Sequence, residues 1–188
     1  MLLPPIYIPD AAAAMNYGGF AQIVGHELMH AYDINGIRLT SEARAAKYNA
    51  TDPTLQEYEK KVLCLRASYL KAESNSRART LDQTIDAEGF ADYTGILLAR
   101  EAFRRLADDR RTRTVPDVGL TADQVFFVAH CIKYCNADKV NRTRELGGAY
   151  WHDRSRCIVP LQNMPEFAQA FSCRRGDYMN PDNRCDFW

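Results

Sequence analysis

Ten residues, Val24-Gly25-His26-Glu27-Leu28-Met29-His30-Ala31-Tyr32-Asp33, constrain this chain more than any other stretch, because they contain the pattern H-E-x-x-H. Two imidazoles at that spacing act together only on a helix, where they stand on one face about a turn apart. So placed, each can give a neutral nitrogen to a tetrahedral zinc ion. Glu27 follows the first histidine and projects beside such a metal, where it can take a proton from an attacking water as a general base. The whole chain has four histidines, so two of them at this spacing around a glutamate argue against coincidence. A catalytic zinc uses three protein ligands and keeps one position open, so another element must supply the third.

The 188 residues suit one domain with a single core. Twenty-four basic and twenty-four acidic residues leave no net charge, and hence no electrostatic footprint for nucleic acid or an anionic membrane. No apolar run is long enough to span a bilayer, and Met1-Leu2-Leu3-Pro4-Pro5 lacks the basic start and apolar core of a signal peptide. Cys64, Cys131, Cys135, Cys157, Cys173 and Cys185 are widely spread without a C-x-x-C pair, a distribution that fits disulfides in an oxidising compartment. The sequons Asn49-Ala50-Thr51 and Asn141-Arg142-Thr143 point the same way, to an extracellular or cell-surface setting on the secretory pathway. With no signal of its own, the chain reads as a fragment of a longer precursor ectodomain.

Periodicity predicts a mainly α fold with little sheet. Residues 1–10 read as an extended, proline-rich segment with a strand at Tyr7 and Ile8. Asn16-Tyr17-Gly18-Gly19 reads as a turn into the His26 helix, which Gly36 would end in a left-handed conformation. A helical pattern from Ser41 to Leu70 is broken by Pro53, and a polar loop follows from Glu73 to Arg79. Thr84 to Leu106 is a second long helix, Arg104 to Arg113 its solvated end, and Ala122 to Cys135 a third helix. The rest reads as short and irregular, with a helix near Pro165–Phe171.

On the second long helix, Ala87-Glu88-Gly89-Phe90-Ala91-Asp92 puts two carboxylates on one face. Glu88 can complete a His₂Glu set while Asp92 accepts the free ring N–H of a ligand histidine, a contact that orients such ligands. A solvated acidic face is the simpler reading of this segment taken alone.

Taken together, these residues resemble the neprilysin-like zinc endopeptidases, which include the endothelin-converting enzymes. The likeness covers Asn16-Tyr17-Gly18-Gly19, Gly25 through Asp33 with Asn35-Gly36, the Glu88-to-Asp92 element, Leu161-Gln162-Asn163, Tyr178-Met179-Asn180-Pro181 and the closing Cys185-Asp186-Phe187-Trp188. It implies a zincin-type catalytic domain over 1–188, the C-terminal part of its precursor, with the two metal-bearing helices packed together. It implies one Zn²⁺ per chain held by His26, His30 and Glu88, Glu27 as general base, and Asp33 and Asp92 as supporting carboxylates, Asp92 also counting as catalytic.

Two further roles follow from the same likeness. His152 would donate to the oxyanion, and Arg156 would hold a substrate backbone carbonyl; stabilising such a developing charge is commonly worth several kcal/mol. The segment His152-Asp153-Arg154-Ser155-Arg156 is two residues shorter than the family pattern and lacks its Pro-Gly pair, which makes Arg154 an alternative. His130 reads as an ordinary helix residue. Ala87 and Gly89 depart from the family's Gly and Asn beside the third ligand. Partners implied are peptide substrates, cleaved before a hydrophobic residue, and the missing N-terminal lobe, which carries the edge strand that binds the substrate backbone. The likeness implies that Cys64 pairs with Cys185 and that Cys135 and Cys173 match positions whose partners lie in the absent part; Cys131 and Cys157 have no counterpart in the family, and their pairing with each other is an expectation separate from it. The rival expectation is a truncated or impaired homologue that binds zinc and peptides, or another protein, without turnover.

Overall fold

A computed structural model describes residues 3–38, 52–74, 80–135 and 150–187. Among these residues the chain is helical and contains no strand, in agreement with the mainly α expectation. The elements are α1 (Ala13–Asn16), a π-helical turn (Tyr17–Ala21), α2 (Gln22–Met29), α3 (Pro53–Glu73), α4 (Gln83–Arg104), α5 (Asp108–Arg111), α6 (Ala122–Ile132), α7 (Asp153–Gln162) and α8 (Pro165–Ala170). Both sequons, Trp188, the helix expected upstream of Pro53 and most of the Glu73–Arg79 loop lie outside the described residues.

α4 is the central element, buried along most of its length from Ile85 to Phe103. Asp82 starts it by accepting the Thr84 and Ile85 N–H groups, which the first turn leaves unpaired. α3 begins where Pro53 forces it to, with Asp52 as its cap and Pro53 at the position where a missing N–H costs nothing. Its buried residues, Val62, Leu65, Arg66 and Tyr69, follow the three-to-four spacing of one helical face. Across that face the buried Arg66 donates to Asp86 of α4 at 2.9 Å. α6 carries a capping box, Thr121 with Gln124, and packs on α1 and the π turn.

The C-terminal tail is part of the core. Cys185 is bonded to Cys64 of α3, and Phe187 packs against Tyr58, Phe90 and Tyr93. The Cys185 N–H donates to the Asn163 side chain at 2.7 Å, and Tyr93 Oη donates to the Cys185 carbonyl at 2.9 Å. A second bond, Cys131–Cys157, joins the end of α6 to α7. Cys135 and Cys173 are free among the described residues.

Four local expectations are corrected. Tyr7 and Ile8 form no strand, because the Asn16 side chain takes both backbone groups of Ile8, accepting at 2.9 Å and donating at 2.7 Å. Asn16 to Gly19 is no open turn but part of a helix that widens for one turn and runs on into α2. Gly36 is not left-handed; it sits in a 3₁₀ turn, where a Cβ would come within 2.1 Å of the His30 carbonyl oxygen. The region read as irregular holds α7, which persists through Pro160.

Candidate active site

The site is fixed by one backbone contact. α2 crosses α4 so closely that a Cβ on Gly25 would lie 2.6 Å from the Gly95 carbonyl oxygen, and one on Gly95 2.6 Å from the His26 nitrogen. The approach brings His26 over the face of α4 that carries Glu88, Asp92 and Gly95 at helical spacing.

Both imidazoles then turn Nε2 toward Glu88 and Nδ1 toward a supporting carboxylate. His26 Nε2 lies 3.2 Å from Glu88 Oε2, and its Nδ1 2.9 Å from Asp92 Oδ1. His30 Nε2 lies 3.1 Å from His26 Nε2 and 3.7 Å from Glu88 Oε1, with Nδ1 2.6 Å from Asp33 Oδ2. Asp33 is held in turn by the N–H groups of Asn35 and Gly36, each at 2.7 Å. One ligand atom from each of His26, His30 and Glu88 falls within 4.8 Å of the others.

That cluster suits a cation. Glu88 Oε2 is buried and accepts no hydrogen bond, and two ring nitrogens face each other beside it. Such an arrangement is costly unless a positive charge sits among the three groups. Burial alone would lower the His26 pKa, but the hydrogen bond and charge of Asp92 and the adjacent Glu88 carboxylate outweigh it and raise the value to about 9. His₂Glu is a zinc-type donor set, and the Asp–His contacts fix the ring orientations such a metal requires.

Asp92 is the electrostatic centre of the site. It accepts from Arg156 Nε at 2.6 Å and Nη2 at 2.9 Å, and from Tyr134 Oη at 3.2 Å. Burial would raise its pKa, yet the charges of Arg156 and His26 hold it well below the usual carboxylate range. The bidentate pair also locks Arg156, whose guanidinium lies 4.6 Å from the Tyr150 ring centre.

A cavity of about 510 Å³ opens beside this cluster, with Glu27, His26, Asp92, Tyr150 and Arg156 on its wall. Glu27 is exposed on α2, so water reaches it. His152 is not among the lining residues: its N–H donates to Glu73 at 2.7 Å, and its Nε2 lies 3.8 Å from the same carboxylate. Arg154 is exposed and also does not line the cavity. Sequence reasoning missed Tyr150, Gln22 and Lys133, all of which line it. A signal for Lys133 existed: it continues the face of α6 that buries Phe126 and His130, where a charged residue is out of pattern. His130 is wholly buried and in contact with Lys133, and burial followed by the lysine charge holds its imidazole well below its ordinary pKa.

Comparison with known proteins agrees with this architecture. The chain is 28% identical to Neprilysin-3 of Drosophila melanogaster over 192 residues, covering 100% of this chain and 24% of the relative. It is 27% identical to Endothelin-converting enzyme 1 of Mus musculus over 191 residues, covering 100% of this chain and 25% of that protein. The chain thus spans about a quarter of the length of these relatives. Among solved structures, the Haemonchus galactose-containing glycoprotein complex superposes with a TM-score of 0.81 at 23% identity, covering 100% of this chain and 32% of the other. The zinc metalloprotease ZMP1 of Mycobacterium tuberculosis superposes at 0.75 and 23% identity, covering 100% and 30%. The model of peptidase family M13 matches residues 1–187, and with the helical fold and the converging His26, His30 and Glu88 it establishes that this chain belongs to peptidase family M13.

Proposed function

We propose that this chain is the catalytic part of a zinc-dependent endopeptidase that hydrolyses peptides, with Glu27 as general base. The observation that carries it is the convergence of His26, His30 and Glu88, with His26 and the water-accessible Glu27 both lining the cavity. His26, His30 and Glu88 would hold one zinc ion, which when bound polarises the scissile carbonyl and acidifies water. Asp33 and Asp92 keep the two imidazoles turned toward that ion. Glu27 takes the proton of the attacking water and passes it to the leaving amine, a role worth about 10²–10⁴-fold in rate. Arg156, charged and fixed by Asp92, faces a substrate carbonyl. Tyr150 already lines the cavity and can donate to the oxyanion; His152 serves that role only if it exchanges Glu73 for the cavity. The remaining length of such a relative would supply the N-terminal lobe that closes over the peptide. The two disulfides support an extracellular compartment.

The position of His152 against Glu73 favours a second reading, a homologue that binds zinc and peptides without turnover. Zinc content and hydrolysis of quenched fluorescent peptides, measured on the full-length protein and its Glu27→Gln variant, separate the two. The proposal expects one zinc per chain in both proteins and turnover at least about 100-fold lower in the variant. Turnover that survives Glu27→Gln overturns the mechanism. Zinc without turnover in the wild type establishes the second reading.

A further inference from the structure

The cavity wall also holds a buried amine that the proposed hydrolysis does not use. Lys133 stands just beyond the end of α6, lines the cavity, and is buried at its amino group. Two neutral acceptors hold the ammonium: the Gln22 side-chain oxygen and His130 Nδ1, the latter at 3.1 Å. Gln22 is oriented for this by its own amide, which donates to the Asp92 carbonyl at 3.4 Å. The buried imidazole of His130 is kept neutral by its surroundings, so it accepts without adding charge. No carboxylate is bonded to Lys133 among the described residues, so the arrangement places the cation without neutralising it. Asp92, the buried carboxylate whose charge acts on Lys133, is already taken by Arg156 and His26. Ile6, Ile23 and the Tyr134 ring supply apolar wall around the lysine.

A recess with apolar sides and a buried amine that has no carboxylate partner matches a side chain with a short aliphatic stem ending in a carboxylate, because that carboxylate favours the ammonium form that burial disfavours. A desolvated ammonium with one free N–H gives such a group a charge-assisted hydrogen bond, roughly twice as strong as a neutral one. Substrates with a purely aliphatic side chain would leave that donor unpaired, and buried polar groups left without partners reject a ligand strongly. We propose that Lys133, positioned by Gln22 and His130, makes this cavity a subsite for a glutamate-like side chain flanking the scissile bond, in place of the hydrophobic side chain that the family resemblance implies. The inference rests on the peptidase reading of the same cavity. Glu27 and Asp153 also line it, which limits the preference to one acidic side chain rather than an acidic run.

The test uses the full-length protein, its Lys133→Met variant and its Lys133→Arg variant, with quenched peptides that differ only in Glu, Gln, Leu or Lys on either side of the cleaved bond. Expected is a kcat/KM at least tenfold higher for a Glu peptide than for its Leu counterpart in the wild type. Lys133→Met should reverse that order, and Lys133→Arg, which keeps the charge, should retain it. A wild type that prefers Leu, or a Lys133→Met variant that slows all peptides equally, overturns the proposal. Binding of fluorescein-labelled versions of the same peptides, followed by anisotropy, keeps the two readings separable. If no peptide is cleaved, the hydrolytic reading fails; tenfold tighter binding of the Glu peptide, lost in Lys133→Met, then still upholds the subsite, and equal binding of Glu and Leu peptides overturns it.

Discussion

Replacing Gly95 with alanine tests the contact on which the whole site depends. In the middle of an exposed helix, alanine is favoured over glycine by about 1 kcal/mol, so an unconstrained α4 would be stabilised. Here the new Cβ would stand 2.6 Å from the His26 nitrogen, 2.9 Å from its Cα and 3.0 Å from the Gly25 carbonyl carbon. All three are backbone atoms, so no side chain can rotate away, and α2 must move off α4 by most of an ångström to restore ordinary contact. Overpacking of this kind costs about 1–3 kcal/mol and more where backbone must shift. Because only backbone can yield, the cost falls in the upper part of that range, about 2–3 kcal/mol; less the helix-propensity gain, the net loss is about 1–2 kcal/mol, or a Tm lower by roughly 2–8 °C for a chain of this size. Because the atom displaced belongs to His26, zinc affinity should fall with stability, by about tenfold or more. Thermal unfolding followed by circular dichroism and zinc competition with a chromophoric chelator measure the two effects. An unchanged or higher Tm in Gly95→Ala would refute the argument, since it would mean that the helices are not in backbone contact at that level.

Two other perturbations follow from buried charge. Arg66→Met removes the guanidinium from Asp86, leaving a carboxylate whose pKa burial already raises; the loss should be about 3–5 kcal/mol, and adding Asp86→Asn should recover part of it in urea titrations. Burial pushes the Lys133 amine down to about 7 in the folded chain, against about 10.4 when unfolded. Between those values the unfolded chain binds a proton that the folded amine lacks, so this group costs stability as pH falls from about 10 to 7, and adds no further cost below 7. Relative to Lys133→Met, wild-type stability should therefore climb from pH 7 to 9 by up to about 1.4 kcal/mol per unit, and parallel urea curves at pH 7, 8 and 9 would count against it.

The grouping of His26, His30 and Glu88 was legible because its parts are local. His26 and His30, and likewise Glu88 and Asp92, are paired by helical periodicity alone, and Asp33 reaches back to His30 within the same turn. What sequence spacing could not supply is how α2 lies on α4, since that depends on Gly25 and Gly95 meeting across the fold. The segment before α7 shows the limit more sharply. Counting along the chain pointed to His152, but Trp151 is buried flat against Tyr69, their ring centres 4.8 Å apart, and that anchor decides which neighbour meets the cavity. Tyr150 lines it while His152 stands at the start of α7 with its backbone N–H donated to Glu73. The strand expected at Tyr7 and Ile8 failed for a similar reason, because a side chain eight residues on, Asn16, satisfied the backbone instead of a neighbouring strand. Lys133 broke the apolar pattern of its helix, and that breach marked the pocket wall rather than the solvent face.

The clasp between Cys64 and Cys185 also dictates when this chain can finish folding. Cys64 waits for a partner 121 residues downstream, and Phe187 is needed to complete the aromatic cluster around Phe90. During synthesis, Cys131, Cys135, Cys157 and Cys173 all emerge before Cys185, so Cys64 meets four wrong thiols before the right one. Any early pair that Cys64 makes has to be broken by thiol–disulfide exchange before the clasp can close, a process that runs from seconds to hours without help. The core of this domain therefore cannot close until Cys185 and Phe187 have been made, however early α3 and α4 form.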